Sequence, residues 1–442
     1  MNRISEASPV QPSMDAPVVL RLPHQLTVQH TPHPLAGLEI AVVGINYAPE
    51  PTGVAPYTTG MCRHLADVAG HVIVLTGVPH YPSWTTPEAF RRRRRIQEQQ
   101  HPHLEVLRHW HHVPARQTAL TRGLYETTFL ANVAATRLRR RPDLILGVTP
   151  SLGGAAVAAR MAERYGVPLV IVVQDLMARA AGQSGIRGGG RVASATAKLE
   201  AWALRSATRV AIVSEAFRDA VVSYGVPDER VEILPNWTHI SPAGMDVAAA
   251  RHALGWPLEG FLAIHTGNMG LKQDLANVIE AARALPDRHA QVVLVGDGSQ
   301  REALRRLAEG VPNVRFVDPV SDADYPRVLA AADVLLVNER PSVCDMSLPS
   351  KLTSYLSAGR AVVAAVAPGG ATDRELTRTD GAAVCVEAGK PVLLARELEA
   401  LREDPARRER MGAAGRRFAD EMLGERAAMD RLDALLGRAL AG

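Results

Sequence analysis

Aromatic side chains are scarce: Phe, Trp and Tyr make up 4% of the 442 residues. Proteins that hold single-stranded nucleic acid stack bases on such rings, so this composition argues against a nucleic-acid partner. Cysteine is scarcer still. Cys62, Cys344 and Cys385 are odd in number and far apart, which gives neither a disulfide framework nor a metal-ligand spacing. A reducing cytoplasm is the expected compartment. No apolar run reaches the roughly 18 residues of a membrane span. No charged start followed by an apolar stretch marks a signal peptide. The chain is therefore expected to meet any membrane-borne partner from the cytoplasmic face. Charge of one sign is also lacking. The formal net charge is +4, and most arginines alternate with acids along helices. That balance fits a weak preference for anionic ligands, not a nucleic-acid footprint.

What remains is an ordinary globular composition, 47% hydrophobic and 22% charged, at a length that implies two domains or one large one. Residues 1–37 carry Pro9, Pro12, Pro17, Pro23, Pro32 and Pro34 with no apolar period, the pattern of a disordered or loosely attached tail. A repeating grammar follows. A strand at Ile40–Val43 leads through a Gly- and Pro-rich loop into a helix at Tyr57–Ala69, then Gly70 and a strand at Val72–Leu75. "DLILGV", "VPLVIVVQD", "TRVAIVSE" and "VEILPN" continue it, with a long helix near residues 191–205. The second half repeats it with "FLAIHTGNMG", "AQVVLVGDGS", "DVLLVN" and "AVVAAV". Short, wholly apolar strands alternating with helices are the mark of parallel sheets covered on both faces.

The fold class is therefore α/β, with two doubly wound Rossmann-like domains facing across a cleft. The boundaries are a first domain over residues 38–240, a second over 241–420, and a C-terminal helix over 421–442. Residues 389–440 read as charge-laced, solvated surface helices. Ligands in such folds sit at the carboxyl ends of strands, and the gap between two domains is the first place to look for a site.

Four strand-end loops carry candidate chemistry. "GINYAPEPTGVAPY" runs from Gly44 through Gly53 and enters a helix. It is either an anion- or hydroxyl-binding loop or a plain turn. "HTGNMGLKQD" holds Gly267, Asn268, Gly270 and Lys272. An ammonium at a helix start suits an oxyanion, although a lone lysine is as readily solvated. "VGDGSQ" offers Gly296, Asp297 and Gly298, whose glycines clear room for a flat ring, or form a turn. "SLPSKLTSYLSAGRAVVA" places Pro349, Ser350 and Lys351 where a helix begins. Three such loops in one domain point to one extended, phosphate-bearing ligand, and a nucleotide fits better than free phosphate. In the first domain, Gln174 and Asp175 close a buried strand. Asp175 is a catalytic candidate, or else a helix cap or domain-contact acid. The "RRRRR" run at 91–95 is a cationic surface for anionic lipid, or a solvated charge run. His109, His111 and His112 suggest metal by count but lack the companion spacing of a site.

These segments resemble the family 4 glycosyltransferases of GT-B fold, in particular the branch of the colanic-acid biosynthesis transferases. The likeness spans roughly residues 38–420 and is carried by "GINYAPEPTGVAPYTTGM", "VPHYPSW", "RHWHHVP", "VQDL", "ILPNW", "TGNMGLKQ", "VGDGS" and "LPSKLTSYLSAGRAVVA". The resemblance implies a retaining, metal-independent transferase without a cofactor. Its donor would be a nucleotide-diphosphate sugar in the second domain, held by Gly267, Asn268, Lys272, Gly296, Asp297, Gly298, Pro349, Ser350, Lys351, Leu352 and Ser354. Its acceptor would be a glycan or a polyprenyl-linked glycan in the first domain, reached at the inner membrane face through residues 91–125. Gly44 and Gly53 would permit close backbone approach, and Gln174 and Asp175 would stand at the reacting sugar. Most of the family carries two glutamates ahead of the glycine that is Gly359 here. Their positions fall at Met346 and Ser354, leaving Asp345 or Glu339 as substitutes for the first. The missing glutamates keep open a non-catalytic GT-B partner of an active transferase, and a nucleotide-sugar epimerase of the same fold is a second alternative.

Overall fold

The computed structural model describes residues 33–91, 93–115, 118–176, 189–238, 242–286, 290–344 and 349–442. The expected tail up to residue 32, the boundary at 240/241, and Asp345 and Met346 lie outside the described residues.

Two sheets form the frame. The first has strands β1 (Glu39–Val43), β2 (His71–Gly77), β3 (Arg95–His101), β4 (Leu104–His109), β5 (Leu144–Val148), β6 (Leu169–Val173), β7 (Arg209–Ile212) and β8 (Val231–Ile233), in the order β3-β4-β2-β1-β5-β6-β7-β8. All neighbours are parallel except β3 and β4. The second has β9 (Phe261–Thr266), β10 (Ala290–Val295), β11 (Val314–Val317), β12 (Val334–Asn338), β13 (Ala361–Val366) and β14 (Ala383–Glu387), all parallel, in the order β11-β10-β9-β12-β13-β14. The central strands are buried along their length and almost wholly apolar, because helices cover both faces. Each sheet reverses its winding beside its first strand, between β1 and β5 and between β9 and β12. Loops leaving those carboxyl ends diverge and open a crevice.

Helix starts and stops follow local chemistry. Helix α1 (Ala55–Val68) has proline in its first turn, and α2 (Glu88–Arg91) is one turn long. Helix α3 (Ala119–Ala134) is capped by Thr118, whose hydroxyl accepts the Thr121 N–H. Helix α4 (Leu152–Tyr165) begins at Ser151, which accepts the Gly154 N–H at 3.0 Å, and ends at left-handed Gly166.

Two expectations are corrected here. Ordered packing starts before residue 38: Leu35 is fully buried beside Ile40 and Val72. The C-terminal helices are not merely solvated. Leu394, Leu398 and Leu401 pack on the second sheet. The final helix, Glu425–Ala441, returns to the first domain and buries Met429, Leu432 and Leu436 against Met61 and Leu65 of α1, and His64 Nε2 meets Asp433 at 2.9 Å. The apolar spacing i, i+3, i+4, i+7 was present under the dense charge. Arg95, at the end of the arginine run, opens edge strand β3, antiparallel to β4, where charges protect an open edge from pairing.

Candidate active site

In the first domain, one carboxylate ties two loops together. Glu50, in the loop after β1, is buried. Its Oε1 accepts the backbone N–H of His80 at 2.8 Å and of Tyr81 at 2.9 Å, and its Oε2 accepts the Asn46 amide at 2.9 Å. "GINYAPEP" is thereby fastened to "VPHYPSW". Burial lowers the pKa of His80, against the opposing pull of Glu50. Its Nδ1 lies 3.0 Å from the Val78 carbonyl and its Nε2 3.2 Å from the Tyr125 hydroxyl. Gly53 holds φ +72°, and a side chain there would meet the Tyr81 ring at 3.1 Å. Both the left-handed backbone and the ring contact select glycine.

Asp175 follows β6 and faces the gap. Burial raises its carboxyl to about 7, and Lys272 of the second domain pulls it down. Among the described residues no side chain hydrogen-bonds that carboxylate. Gln174 differs. Its amide exchanges two hydrogen bonds with Asn236, at 3.0 and 2.8 Å. It braces "VQDL" against "ILPNW", and its polar atoms are engaged there.

In the second domain the site grows from the ends of β9 and β12. Asn338 donates to the carbonyls of Gln273 and Asp274 at 2.8 and 2.9 Å, and the Arg340 N–H bonds the Lys272 carbonyl at 2.9 Å. These bonds pin the turn that presents Lys272, a short 3-10 turn rather than the helix start expected. Lys351 opens the seven-residue helix Lys351–Ser357. Its Nζ lies 3.2 Å from His265 Nε2 and 3.9 Å from where a side chain on Gly267 would stand. His265 is buried inside β9 and held well below its ordinary pKa, first by burial and then by Lys351. Its Nδ1 is 3.3 Å from the Leu336 carbonyl. With that nitrogen donating, Nε2 offers a lone pair to the ammonium. Burial lowers Lys351 to about 7 while Glu339 opposes. Glu339 is raised to about 7 by burial, against the pull of Thr372, Lys351 and Lys272. Both lysines thus act on one carboxyl.

The two halves meet. A cavity of about 350 Å³ is lined by Gly53, Tyr81, Asp175 and, from the other domain, Lys272. A second of about 220 Å³ shares Gly53 and Asp175 and is closed by Pro349, Ser350 and Thr353. Beside them Ser214 donates to Glu375 at 2.8 Å, a buried bond between domains.

Several expected ligand contacts are instead internal packing. Gly44 lies where β1 ends, between Val148 and Thr58, and lines neither cavity, although its neighbours Ile45 and Asn46 line the first. A Cβ on Gly296 would stand 2.1 Å from the Gly267 carbonyl oxygen, and one on Gly298 2.6 Å from Asn268 Oδ1. The room these glycines clear is filled by the neighbouring loop, so Asn268 serves that loop contact. Asp297 is exposed and accepts the Gly298 N–H at 2.8 Å. Leu352 packs in the core, with its N–H bonded to the Pro349 carbonyl, and also lines the second cavity. Ser354 is buried, donating to the Lys351 carbonyl at 3.0 Å and meeting the Tyr325 hydroxyl at 3.3 Å. His109 bonds Thr136 at 2.8 Å, and His111 packs on His80 and Tyr125. Among the described residues no three His, Cys, Asp or Glu side chains cluster as a metal site. Sequence reasoning missed Glu50, Asn236 and His265. The only trace of His265 was a polar residue inside an apolar strand.

Two doubly wound domains whose strand-end loops share an interdomain cavity, joined by a terminal helix that returns to the first domain, define the GT-B class of glycosyltransferases. Residues 52–237 match the glycosyl transferase 4-like domain and residues 260–404 the glycosyl transferases group 1 domain. The chain is 34% identical over 366 residues to WcaI of Escherichia coli K12, named for colanic acid biosynthesis, covering 79% of this chain and 88% of that one. It is 28% identical over 214 residues to the lipopolysaccharide core glycosyltransferase LpsD of Rhizobium meliloti, covering 48% and 58%. Among solved structures, Anabaena HepE in complex with UDP superposes with TM-score 0.66 at 19% identity over 91% of this chain and 100% of that one. Sucrose-phosphate synthase of Thermosynechococcus elongatus gives 0.69 at 18% over 91% and 99%. The chain belongs to the family 4 glycosyltransferases, and its likeness runs to the colanic-acid branch.

Proposed function

We propose that the protein is a retaining glycosyltransferase that moves a sugar from a nucleotide-diphosphate donor to a glycan or lipid-linked glycan during polysaccharide assembly. The observation that carries this reading is the placement of Asp175 and Lys272, from opposite domains, on one cavity with linked charges. The names of WcaI and LpsD support the polysaccharide setting, and the UDP bound to HepE supports a nucleotide donor. The bond from the anomeric carbon to the phosphate oxygen breaks, and its electron pair leaves with the diphosphate. The acceptor hydroxyl bonds the same face of that carbon, so its proton passes to the adjacent departing oxygen. Lys272 and Lys351 compensate the charge that develops on the diphosphate, in place of a metal. The seven-residue helix behind Lys351 is too short for its dipole to dominate, so the side-chain ammonium groups carry the electrostatics. Asp175 orients the transferred sugar.

Peripheral membrane contact belongs to the same reading. Among the described residues no helix is long and apolar enough to cross a membrane. Arg93, Arg94 and Arg95 are exposed, and so are Trp110, Leu120 and Leu124. The Trp110 carbonyl accepts the Asn132 amide of α3 at 2.9 Å, which holds the tryptophan beside that helix. Basic and apolar groups so arranged suit an anionic bilayer.

The test is a thermal-shift panel of UDP, GDP and ADP and their sugars, followed by product analysis with lipid-linked acceptors. A stabilising nucleotide sugar and a product of unchanged anomeric configuration are expected. Binding of no nucleotide would favour the non-catalytic partner. An altered sugar without acceptor would favour the epimerase.

A further inference from the structure

A further cavity, of about 420 Å³, belongs to the first domain alone and shares no lining residue with the two interdomain cavities. Its size falls within the range of small-molecule sites (about 300–1,000 Å³). Strand register explains why polar groups meet there. Glu39 opposes His71, Ile73 opposes Glu105, and Glu105 opposes Gln99. Opposed residues share a sheet face, as do residues two apart in a strand. Glu39, His71, Glu105 and Gln99 therefore run across four strands on one face, and all four line the cavity. Helix α3 ends at Ala134, and the connection after it brings Arg137, Arg139 and Arg140 to the same cavity. Arg95 of β3 joins them, so two arginine-rich segments far apart in the chain meet there. Arg140 is engaged: its Nη1 donates to Glu39 Oε1 at 2.7 Å. His71 Nδ1 stands 3.2 Å from Glu39 Oε2. Other groups have capacity to spare. The Glu105 side chain is 15% exposed and lies 4.0 Å from His71 Nε2; among the described residues its carboxylate accepts no hydrogen bond. Among the described residues Arg95, Arg137 and Arg139 make no ion pair and no side-chain hydrogen bond.

We propose that this cavity is a second ligand site that takes a sugar phosphate, with the phosphate held by the arginines and sugar hydroxyls by Glu105. Guanidinium groups pair with phosphate oxygens through parallel N–H donors. The lining holds four arginines against two glutamates, so the balance favours an anion. A carboxylate only accepts, so Glu105 repels a bare phosphate and takes the O–H of a hydroxyl. No Phe, Tyr or Trp lines the cavity, so it has no platform on which a nucleobase would stack. Glu39 and His71 open β1 and β2, at the amino ends of their strands, whereas Asp175 and Lys272 follow carboxyl ends. A ligand here is therefore not the reacting donor, and the proposal does not rest on the transferase reading. Phosphatidylglycerol presents the same pair of groups, a phosphate and hydroxyls, at a bilayer surface, and the experiment separates the two sources.

Calorimetry on the full chain uses glucose 1-phosphate, glucose 6-phosphate and mannose 1-phosphate as probes, with glucose and inorganic phosphate for comparison. At least one sugar phosphate is expected to bind, more tightly than either glucose or inorganic phosphate. The double variant Arg137→Gln/Arg139→Gln should weaken it by about tenfold or more, as loss of charged hydrogen bonds does. Both residues are exposed, so its urea unfolding should match wild type. Glu105→Gln should narrow the preference for the sugar phosphate over inorganic phosphate. Lys272→Ala should bind the sugar phosphate as wild type does, because Lys272 lines a different cavity. The proposal is overturned if no sugar phosphate binds, if inorganic phosphate binds as tightly, or if the double variant binds like wild type. It also fails if Glu105→Gln leaves the preference unchanged, or if Lys272→Ala abolishes the binding. Vesicles of phosphatidylglycerol that bind wild type and not the double variant, while no sugar phosphate binds, would give the arginines to a bilayer and overturn it as well.

Discussion

Lys351 donates its ammonium to His265 at 3.2 Å inside the second domain. Burial leaves that ammonium easy to deprotonate, at about 7, against the opposing pull of Glu339. An arriving diphosphate reverses that. It raises the lysine's pKa, and between the free and bound values binding must take up a proton. Calorimetry at about pH 8 in buffers of different ionisation enthalpy should show net proton uptake, with affinity falling as pH rises. Lys351→Arg, always charged, should lose part of that uptake. Equal uptake in both proteins would remove Lys351 from the diphosphate.

Asp175 and Lys272 are expected to be linked in the pH profile. Burial holds Asp175 protonated up to about 7, so activity that needs the carboxylate rises through that pH. Lys272 pulls the value down, so Lys272→Ala should move the rising limb to higher pH. The same variant should lower transfer by roughly two to three orders of magnitude. Asp175→Asn should abolish the limb. Rate profiles of the three proteins check this.

Glu50 is a structural prediction. Glu50→Ala leaves the N–H groups of His80 and Tyr81 without their carboxylate, at about 1–3 kcal/mol for each group that stays buried. Urea unfolding should show the loss. Wild-type stability would mean the two loops do not depend on this carboxylate.

Gly296→Ala sets a Cβ 2.1 Å from the Gly267 carbonyl oxygen at φ +135°. Neither backbone can yield cheaply, so a loss of about 2–4 kcal/mol is expected, read by the same unfolding measurement.

Ser354→Ala should cost about 0.5–1.5 kcal/mol, because its hydroxyl bonds Tyr325 and a helix carbonyl. Affinity for the nucleotide should not change. A large drop in affinity would restore Ser354 to the ligand.

The frame was legible because strand and helix periods are local. "DLILGV" and "AVVAAV" are buried strands in any parallel sheet, and they folded so. Lys272 and Asp175 were legible because both lie in loops that leave the carboxyl ends of strands, where parallel sheets put their ligands. The glycines misled, since glycine marks close approach without saying to what. At Gly296 and Gly298 the close neighbour is the chain itself. The pairing of Gln174 was not legible for a related reason: its partner Asn236 lies 62 positions away, a pairing no local pattern carries. Glu50 and His265 depend likewise on contacts across loops and strands. The apolar face of the last helix was hidden by its charges, although its spacing was visible.

The central claim, that Lys272 and Lys351 converge on one diphosphate, is tested most directly by titration. Uridine and UDP (or the best of UDP, GDP and ADP with its nucleoside) would be bound to wild type, Lys272→Ala and Lys351→Ala. Each variant should weaken the diphosphate by about tenfold or more and leave the nucleoside unchanged. Equal affinity of all three proteins for the diphosphate would contradict the account.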